Sequence, residues 1–180
     1  MWPSRGKGAY GMRRVFLLLT TMSVALAMTA GVALAATIDC SGGDCTGTEE
    51  QDFMNGTDTY DLMYGLGGDD NMFGHFGNDE MYGGEGADFL LGDEDYDYPD
   101  TLLGNDTLYG GPGDDDLRGG FGNDKIYGEG GDDFVFAYDQ LNVTSGADVV
   151  DCGPGVDTVH YDKGVDKIRH CETKVRTTQN

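Results

Sequence analysis

From Gly47 to Phe136 the chain reads as ten consecutive blocks of nine residues, each with an apolar residue at its eighth position: Met54, Met63, Met72, Met81, Leu90, Pro99, Leu108, Leu117, Ile126 and Val135. A spacing of nine matches neither the helical period of 3.6 nor the alternation of a long strand. It fits a three-residue strand at positions seven to nine, such as Asn71-Met72-Phe73, whose central side chain points one way and its neighbours the other. One inward side chain per block fills only a thin interior, so blocks must stack to share it. Glycine leads nine blocks, with Thr101 the departure, and holds the fourth position in seven. Both placements predict turns with positive φ. Aromatic residues at the ninth position (Tyr64, Phe73, Tyr82, Tyr109, Tyr127, Phe136) fall in rows on the outside. Cross-strand stacking is the expectation for them, with sugar or surface binding as the alternative.

The sixth position is Asp in every block: Asp52, Asp61, Asp70, Asp79, Asp88, Asp97, Asp106, Asp115, Asp124 and Asp133. Ahead of the blocks lies a different kind of segment. Arg5, Lys7, Arg13 and Arg14 precede an apolar run from Val15 to Ala30, and Ala33-Leu34-Ala35 offers small residues for a signal peptidase. Residues 1–35 are therefore expected to be a cleaved signal peptide and the protein to be secreted. An uncleaved anchor is the alternative, because Val15 to Ala35 is long enough to cross a bilayer. Without residues 1–35 the chain keeps 33 Asp and Glu against seven Lys and Arg, a net charge of −26. Such a polyanion does not bind nucleic acid through its phosphates and repels itself unless cations neutralise it. Low hydrophobicity with high charge often means disorder, but a disordered linker has no reason to hold a nine-residue phase.

Gly110-Gly111-Pro112-Gly113-Asp114-Asp115-Asp116-Leu117-Arg118 and Gly119-Gly120-Phe121-Gly122-Asn123-Asp124-Lys125-Ile126-Tyr127 resemble the hemolysin-type (RTX) calcium-binding nonapeptide. The resemblance covers residues 47–136. It implies an all-β fold, a right-handed parallel β-roll (β-solenoid) with two repeats per turn and about ten to thirteen repeats in all. Asp52, Asp70, Asp88, Asp106 and Asp124 would then line one edge, and Asp61, Asp79, Asp97, Asp115 and Asp133 the other. The resemblance further implies calcium between successive turns, held by sixth-position carboxylates and by turn carbonyls. The carbonyls would come from Gly65, Gly67, Gly68, Gly74, Gly77, Gly83, Gly86, Gly110, Gly113, Gly119 and Gly122, and about six to eight Ca²⁺ would be held. Oxygen-only ligation suits Ca²⁺ better than Zn²⁺ or Mg²⁺.

Departures from the pattern point to irregular places. Asp95 and Pro99 break the block at 92–100, which is expected to be distorted. Glu50 and Thr59 stand where glycine is expected, putting full ligation by Asp52 and Asp61 in question. The fifth-position residues Asp69, Asn78, Asn105, Asp114, Asn123 and Asp132 are expected to bond the turn backbone rather than an ion. An insertion at 137–142 shifts the phase. Three weaker blocks, at Asp148, Asp157 and Asp166, then make residues 143–180 C-terminal capping coils.

Four cysteines in an exported chain suggest disulfides. On the coil, Cys152 and Cys171 lie one turn plus one residue apart, within bridging distance. Cys40 and Cys45 close a loop in an N-terminal cap at 36–46. A four-cysteine zinc site is the other reading. The chain contains no H-E-x-x-H or G-x-S-x-G motif, and its paired acids repeat without distinction. No enzymatic activity is expected. The function indicated is that of a secreted calcium-binding β-roll that folds on binding Ca²⁺, with a structural or surface-interaction role and an unidentified cell-surface or matrix partner. The alternative is the repeat module of a secreted hydrolase or adhesin.

Overall fold

The computed structural model describes residues 35–41, 43–93, 104–137, 146–162 and 166–177. The expected signal peptide, most of the 137–142 insertion and Asp97 lie outside the described residues. No helix among the described residues is long and apolar enough to cross a membrane.

Each block supplies one short strand, so strands alternate between two faces along the chain. Fifteen are described: β1 (Ala36–Asp39), β2 (Asp44–Thr46), β3 (Asp52–Asn55), β4 (Leu62–Gly67), β5 (Asn71–Phe73), β6 (Glu80–Glu85), β7 (Phe89–Leu91), β8 (Thr107–Pro112), β9 (Asp116–Arg118), β10 (Lys125–Gly130), β11 (Phe134–Ala137), β12 (Val149–Asp151), β13 (Thr158–Asp162), β14 (Lys167–Arg169) and β15 (Thr173–Thr177). The odd-numbered strands form an eight-stranded sheet and the even-numbered ones a seven-stranded sheet. Every pairing is parallel, as in Met54 beside Met72 and Met63 beside Met81. The architecture is a parallel β-solenoid of about seven turns, consistent with a β-roll.

The eighth-position side chains meet between the sheets. Met54, Met63, Met72, Met81, Leu90, Leu108, Leu117, Ile126 and Val135 have no solvent exposure, and Val150 and Val159 continue the file into the weaker blocks. Each fully buried side chain of this size contributes about 1.5–3 kcal/mol, and the strands are too short to persist without it. Outside, the ninth-position rings stack: Tyr64–Tyr82, Tyr82–Tyr109 and Tyr109–Tyr127 lie 4.9, 4.6 and 4.9 Å apart. On the other sheet the Arg118 guanidinium lies between Phe89 and Phe136, 5.0 and 4.9 Å from their centres, and Asp116 binds it twice. The rings cover one another's faces, as cross-strand support requires.

Among the described residues β6 pairs with β8 and β7 with β9, a step of 27 across the block at 92–100, which corrects the expected edges. Gly92 and Asp93 begin a turn that Gly104, Asn105 and Asp106 complete. The Gly104 N–H donates to Asp93 Oδ2 at 2.7 Å across the base of the intervening segment. Thr107 thus pairs with Glu80 after a step of 27 rather than 18. The later insertion enters in the same way, with Val149 following Lys125 after a step of 24. Beyond residue 93 the sixth-position residues have therefore exchanged edges. One column runs Asp52, Asp70, Asp88, Asp115, Asp133, Asp157, and the other Asp61, Asp79, Asp106, Asp124, Asp148, Asp166.

Candidate metal centres

Within each column the carboxylates are joined through the backbone. The N–H of Asp70 donates to Oδ1 of Asp88 at 2.8 Å, and that of Asp79 to Oδ1 of Asp106 at 2.8 Å. The carbonyl of each such Asp accepts from the seventh-position N–H of the next turn, as Asp70 does from Phe89 at 2.8 Å. These contacts fix the carboxylate plane and bury it, leaving Asp70, Asp79, Asp88, Asp106, Asp115, Asp124 and Asp133 no more than 2 % exposed. They use only Oδ1. In all seven residues Oδ2 is buried without a hydrogen-bond partner. A buried carboxylate oxygen left this way is costly. Burial accordingly pushes the acids up: Asp70, Asp79 and Asp115 to about 7, Asp106 to about 8, Asp124 to about 10 and Asp133 to about 6. Asp88 is raised as well, also by burial. The protein surroundings alone do not accommodate these negative charges.

What each Oδ2 faces explains the leading glycine. A Cβ on Gly65 would lie 2.3 Å from Asp70 Oδ2 and 2.3 Å from the carbonyl oxygen of Gly83. On Gly83 it would meet Asp88 Oδ2 at 2.3 Å and the Gly110 carbonyl at 2.6 Å; on Gly110, Asp115 Oδ2 at 2.2 Å and the Gly128 carbonyl at 2.8 Å. Gly74 stands likewise between Asp79 and the Gly92 carbonyl, Gly92 between Asp106 and the Gly119 carbonyl, and Gly128 between Asp133 and the Cys152 carbonyl. Gly119 faces Asp124 Oδ2 at 2.3 Å. The first position thus needs glycine for close approach and not for positive φ, a correction to the expectation above. Positive φ falls at the fourth position, in Gly68, Gly77, Gly86, Gly113, Gly122 and Gly131, and at the second. The second carries it in Leu66, His75, Gly84, Gly111, Gly120 and Glu129.

The predicted carbonyl donors therefore separate. Gly65, Gly74, Gly83, Gly110 and Gly119 turn their carbonyls toward the carboxylate of the preceding turn. Those of Gly68, Gly77, Gly86 and Gly113 face the fourth-position glycine of the next turn. Gly122 occupies that same fourth position, and Gly67, at the third, donates its N–H to the Thr48 carbonyl at 3.2 Å. Gly92, Gly128 and Cys152 were not predicted as carbonyl donors. The leading glycine of their blocks was a signal for the first two. Among the described residues no three His, Cys, Asp or Glu side chains converge on one point, so a cation here would need backbone carbonyls beside the carboxylate. Such an all-oxygen donor set with an unpartnered charge is one that Ca²⁺ accepts.

The first two columnar residues behave differently. Asp52 Oδ2 accepts from the Thr48 N–H at 2.6 Å and hydroxyl at 3.0 Å, and Asp61 Oδ2 from the Thr57 N–H at 2.6 Å and hydroxyl at 2.9 Å. The fifth-position side chains bond the backbone, as expected from sequence. Asp69 Oδ1 accepts from the Ala87 N–H, Asn78 from Asn105, Asn105 from Asn123 and Asp114 from Asp132, at 2.7–3.0 Å. Both cysteine pairs are disulfides, with Cα separations of 5.3 Å for Cys40–Cys45 and 5.2 Å for Cys152–Cys171. The zinc alternative falls with them. Cys40 and Cys152 each occupy the leading position of a turn, donating to the ninth-position carbonyls of Asn55 and Arg169.

A sequence model of the RTX calcium-binding nonapeptide repeat matches the chain in four copies, at residues 46–81, 64–99, 100–135 and 139–168. No individual curated protein matches it.

Proposed function

The chain belongs to the RTX calcium-binding nonapeptide repeat family, and from that premise we propose that it is a secreted protein whose central turns fold around calcium held in two edge columns. The observation that carries the reading is the set of seven buried Oδ2 atoms, each facing a leading glycine and, in six of the seven, the carbonyl of the next turn. Calcium would supply the positive charge that the surroundings of these carboxylates lack. Asp70, Asp79, Asp88, Asp106, Asp115, Asp124 and Asp133 would each give one oxygen. Gly83, Gly92, Gly110, Gly119, Gly128 and Cys152 would give carbonyls. Seven carboxylates fall within a stoichiometry of six to eight ions, on a right-handed coil of ten to thirteen repeats.

Two disulfides support an oxidising destination. The carboxylates repeat without distinction along each column, which supports a structural or surface-interaction role over catalysis. The decisive measurement is circular dichroism of chelated protein titrated with CaCl₂ or MgCl₂, with calorimetry for the ion count. Sheet signal should grow with calcium and not with magnesium. Complete sheet in chelator, or two or fewer ions per chain, would contradict the proposal.

A further inference from the structure

Blocks 47–55 and 56–64 contain every feature of the central cradle except an available Oδ2; the oxygen of Asp61 that has no partner is Oδ1, the one that bonds the neighbouring turn in the central blocks. Their leading glycines face the next turn as the central ones do. A Cβ on Gly47 would lie 2.5 Å from the Gly65 carbonyl and 2.7 Å from Asp52 Oδ2, and one on Gly56 2.5 Å from the Gly74 carbonyl and 3.0 Å from Asp61 Oδ2. The difference lies at the second position. In six of the seven central turns that residue has positive φ; the exception is Asp93, in the turn of Asp106, whose N–H donates to the Gly119 carbonyl instead, and in all seven the block's own Oδ2 has no partner. Thr48 and Thr57 are absent from the positive-φ residues. A β-branched side chain strongly resists that region, so the N–H keeps the orientation that reaches the carboxylate four residues on. The hydroxyl completes the closure. It donates to the same Oδ2 and accepts the N–H two residues ahead, from Glu50 at 3.2 Å and from Thr59 at 3.3 Å. The two blocks agree in these distances to within 0.1 Å. At the far end the Asp162 N–H donates to Asp166 Oδ2 at 2.6 Å.

Resting on the calcium reading above, we propose that Thr48 and Thr57 act as latches that exclude calcium from the first two turns, so that the metal columns begin at Asp70 and Asp79. Two protein donors already meet each latched oxygen, and calcium would have to displace both. The second-position residue is then a determinant of metal occupancy, although its side chain is not a ligand. It acts by positioning the backbone. A turn of this kind keeps its shape without an ion, which suits the end of the stack joined to the Cys40–Cys45 loop.

The test is equilibrium dialysis of the full chain with radioactive calcium at saturation, with circular dichroism as a check on folding. Thr57→Gly combined with Thr59→Gly restores glycine at the second and fourth positions and should add one ion per chain. Asp61→Asn in the otherwise unchanged chain should leave the count as it was, whereas Asp70→Asn should lower it by at least one. A folded double-glycine variant with no added ion would overturn the latch. So would the loss of an ion in Asp61→Asn, which decides the matter even where the double variant does not fold. A parent chain that binds no calcium would instead overturn the calcium reading itself, and the latch with it.

Discussion

Asp61 and Asp79 are neighbours in one column, both buried, both at the sixth position and both beneath a leading glycine. Yet Oδ2 of Asp61 is held by two donors of Thr57, while Oδ2 of Asp79 has no partner. Thr57 and His75 occupy the second position of the two turns, and His75 has φ of 74°. The same carboxylate is thus a structural acceptor in one turn and a candidate ligand in the next. An Asp at the ligand position does not by itself make a metal centre, since the turn backbone decides whether its oxygen is available. The C-terminal end makes the point through the first position, where Cys152 brings a side chain into the place of a glycine and spends it on a disulfide.

The strongest way to probe the central turns is to remove calcium and vary pH. Burial raises Asp70, Asp79, Asp106, Asp115 and Asp133 from 3.8 to values between about 6 and 8, and Asp124 further. A group raised on folding binds more protons in the folded state, so its contribution to stability is full below its unfolded value and lost as pH rises through its folded one. Chelated protein should therefore carry more sheet at pH 5 than at pH 8. In excess calcium the order should invert, because ligation needs ionised carboxylates. Dichroism in chelator across this range tests it, and sheet that increases with pH in chelator would contradict the central turns' burial of these acids.

The two positions most legible in the sequence, the sixth and the eighth, are those where one side-chain type does one job. Asp carries the column and an apolar residue fills the interior in nearly every block. The 137–142 insertion was legible too, because six residues break a nine-residue phase. Asp95 and Pro99 marked the block at 92–100 as irregular, but the exchange of edges beyond it was not legible. The step of 27 from Glu80 to Thr107 is itself a multiple of nine, so the nine-residue spacing continues unbroken in the sequence while every sixth-position carboxylate from Asp106 onward changes edge. The second position was illegible for another reason. Leu66, His75, Gly84 and Glu129 share a backbone conformation but no chemistry, so no residue pattern marks it.

The ends can be separated from the centre through their cross-links. Cys152–Cys171 closes a sequence separation of 19 and Cys40–Cys45 one of 5. Chain-entropy reasoning gives the first about 3 kcal/mol and the second about 2 kcal/mol. Replacing Cys152 and Cys171 by Ser should therefore lower the urea midpoint in calcium more than replacing Cys40 and Cys45. Neither change should alter the ion count, because Cys152 lends the Asp133 cradle its backbone carbonyl and not its side chain. A lost ion in the Cys152 variant would show that the Cys152 carbonyl beside Asp133 depends on the cross-link for its position.

The smallest effect tests whether the fifth and sixth positions divide their work as the hydrogen bonds indicate. Asn105 Oδ1 accepts from both the N–H and the side-chain amide of Asn123, at 2.8 and 2.9 Å, and the Asn105 N–H donates to Asn78 Oδ1 at 2.7 Å. The ladder is exposed, and water replaces part of what a deletion removes. Asn105→Ala should therefore cost about 0.5–1 kcal/mol, read as a small shift of the calcium-loaded urea midpoint. Natural Ala87 and Ala147 already end such ladders without breaking the coil, since each still donates its N–H to the turn before it. The calcium count of Asn105→Ala should equal that of the parent. If it fell by one, the fifth position would be a ligand, and the central turns would hold their ions through two side chains per block instead of one.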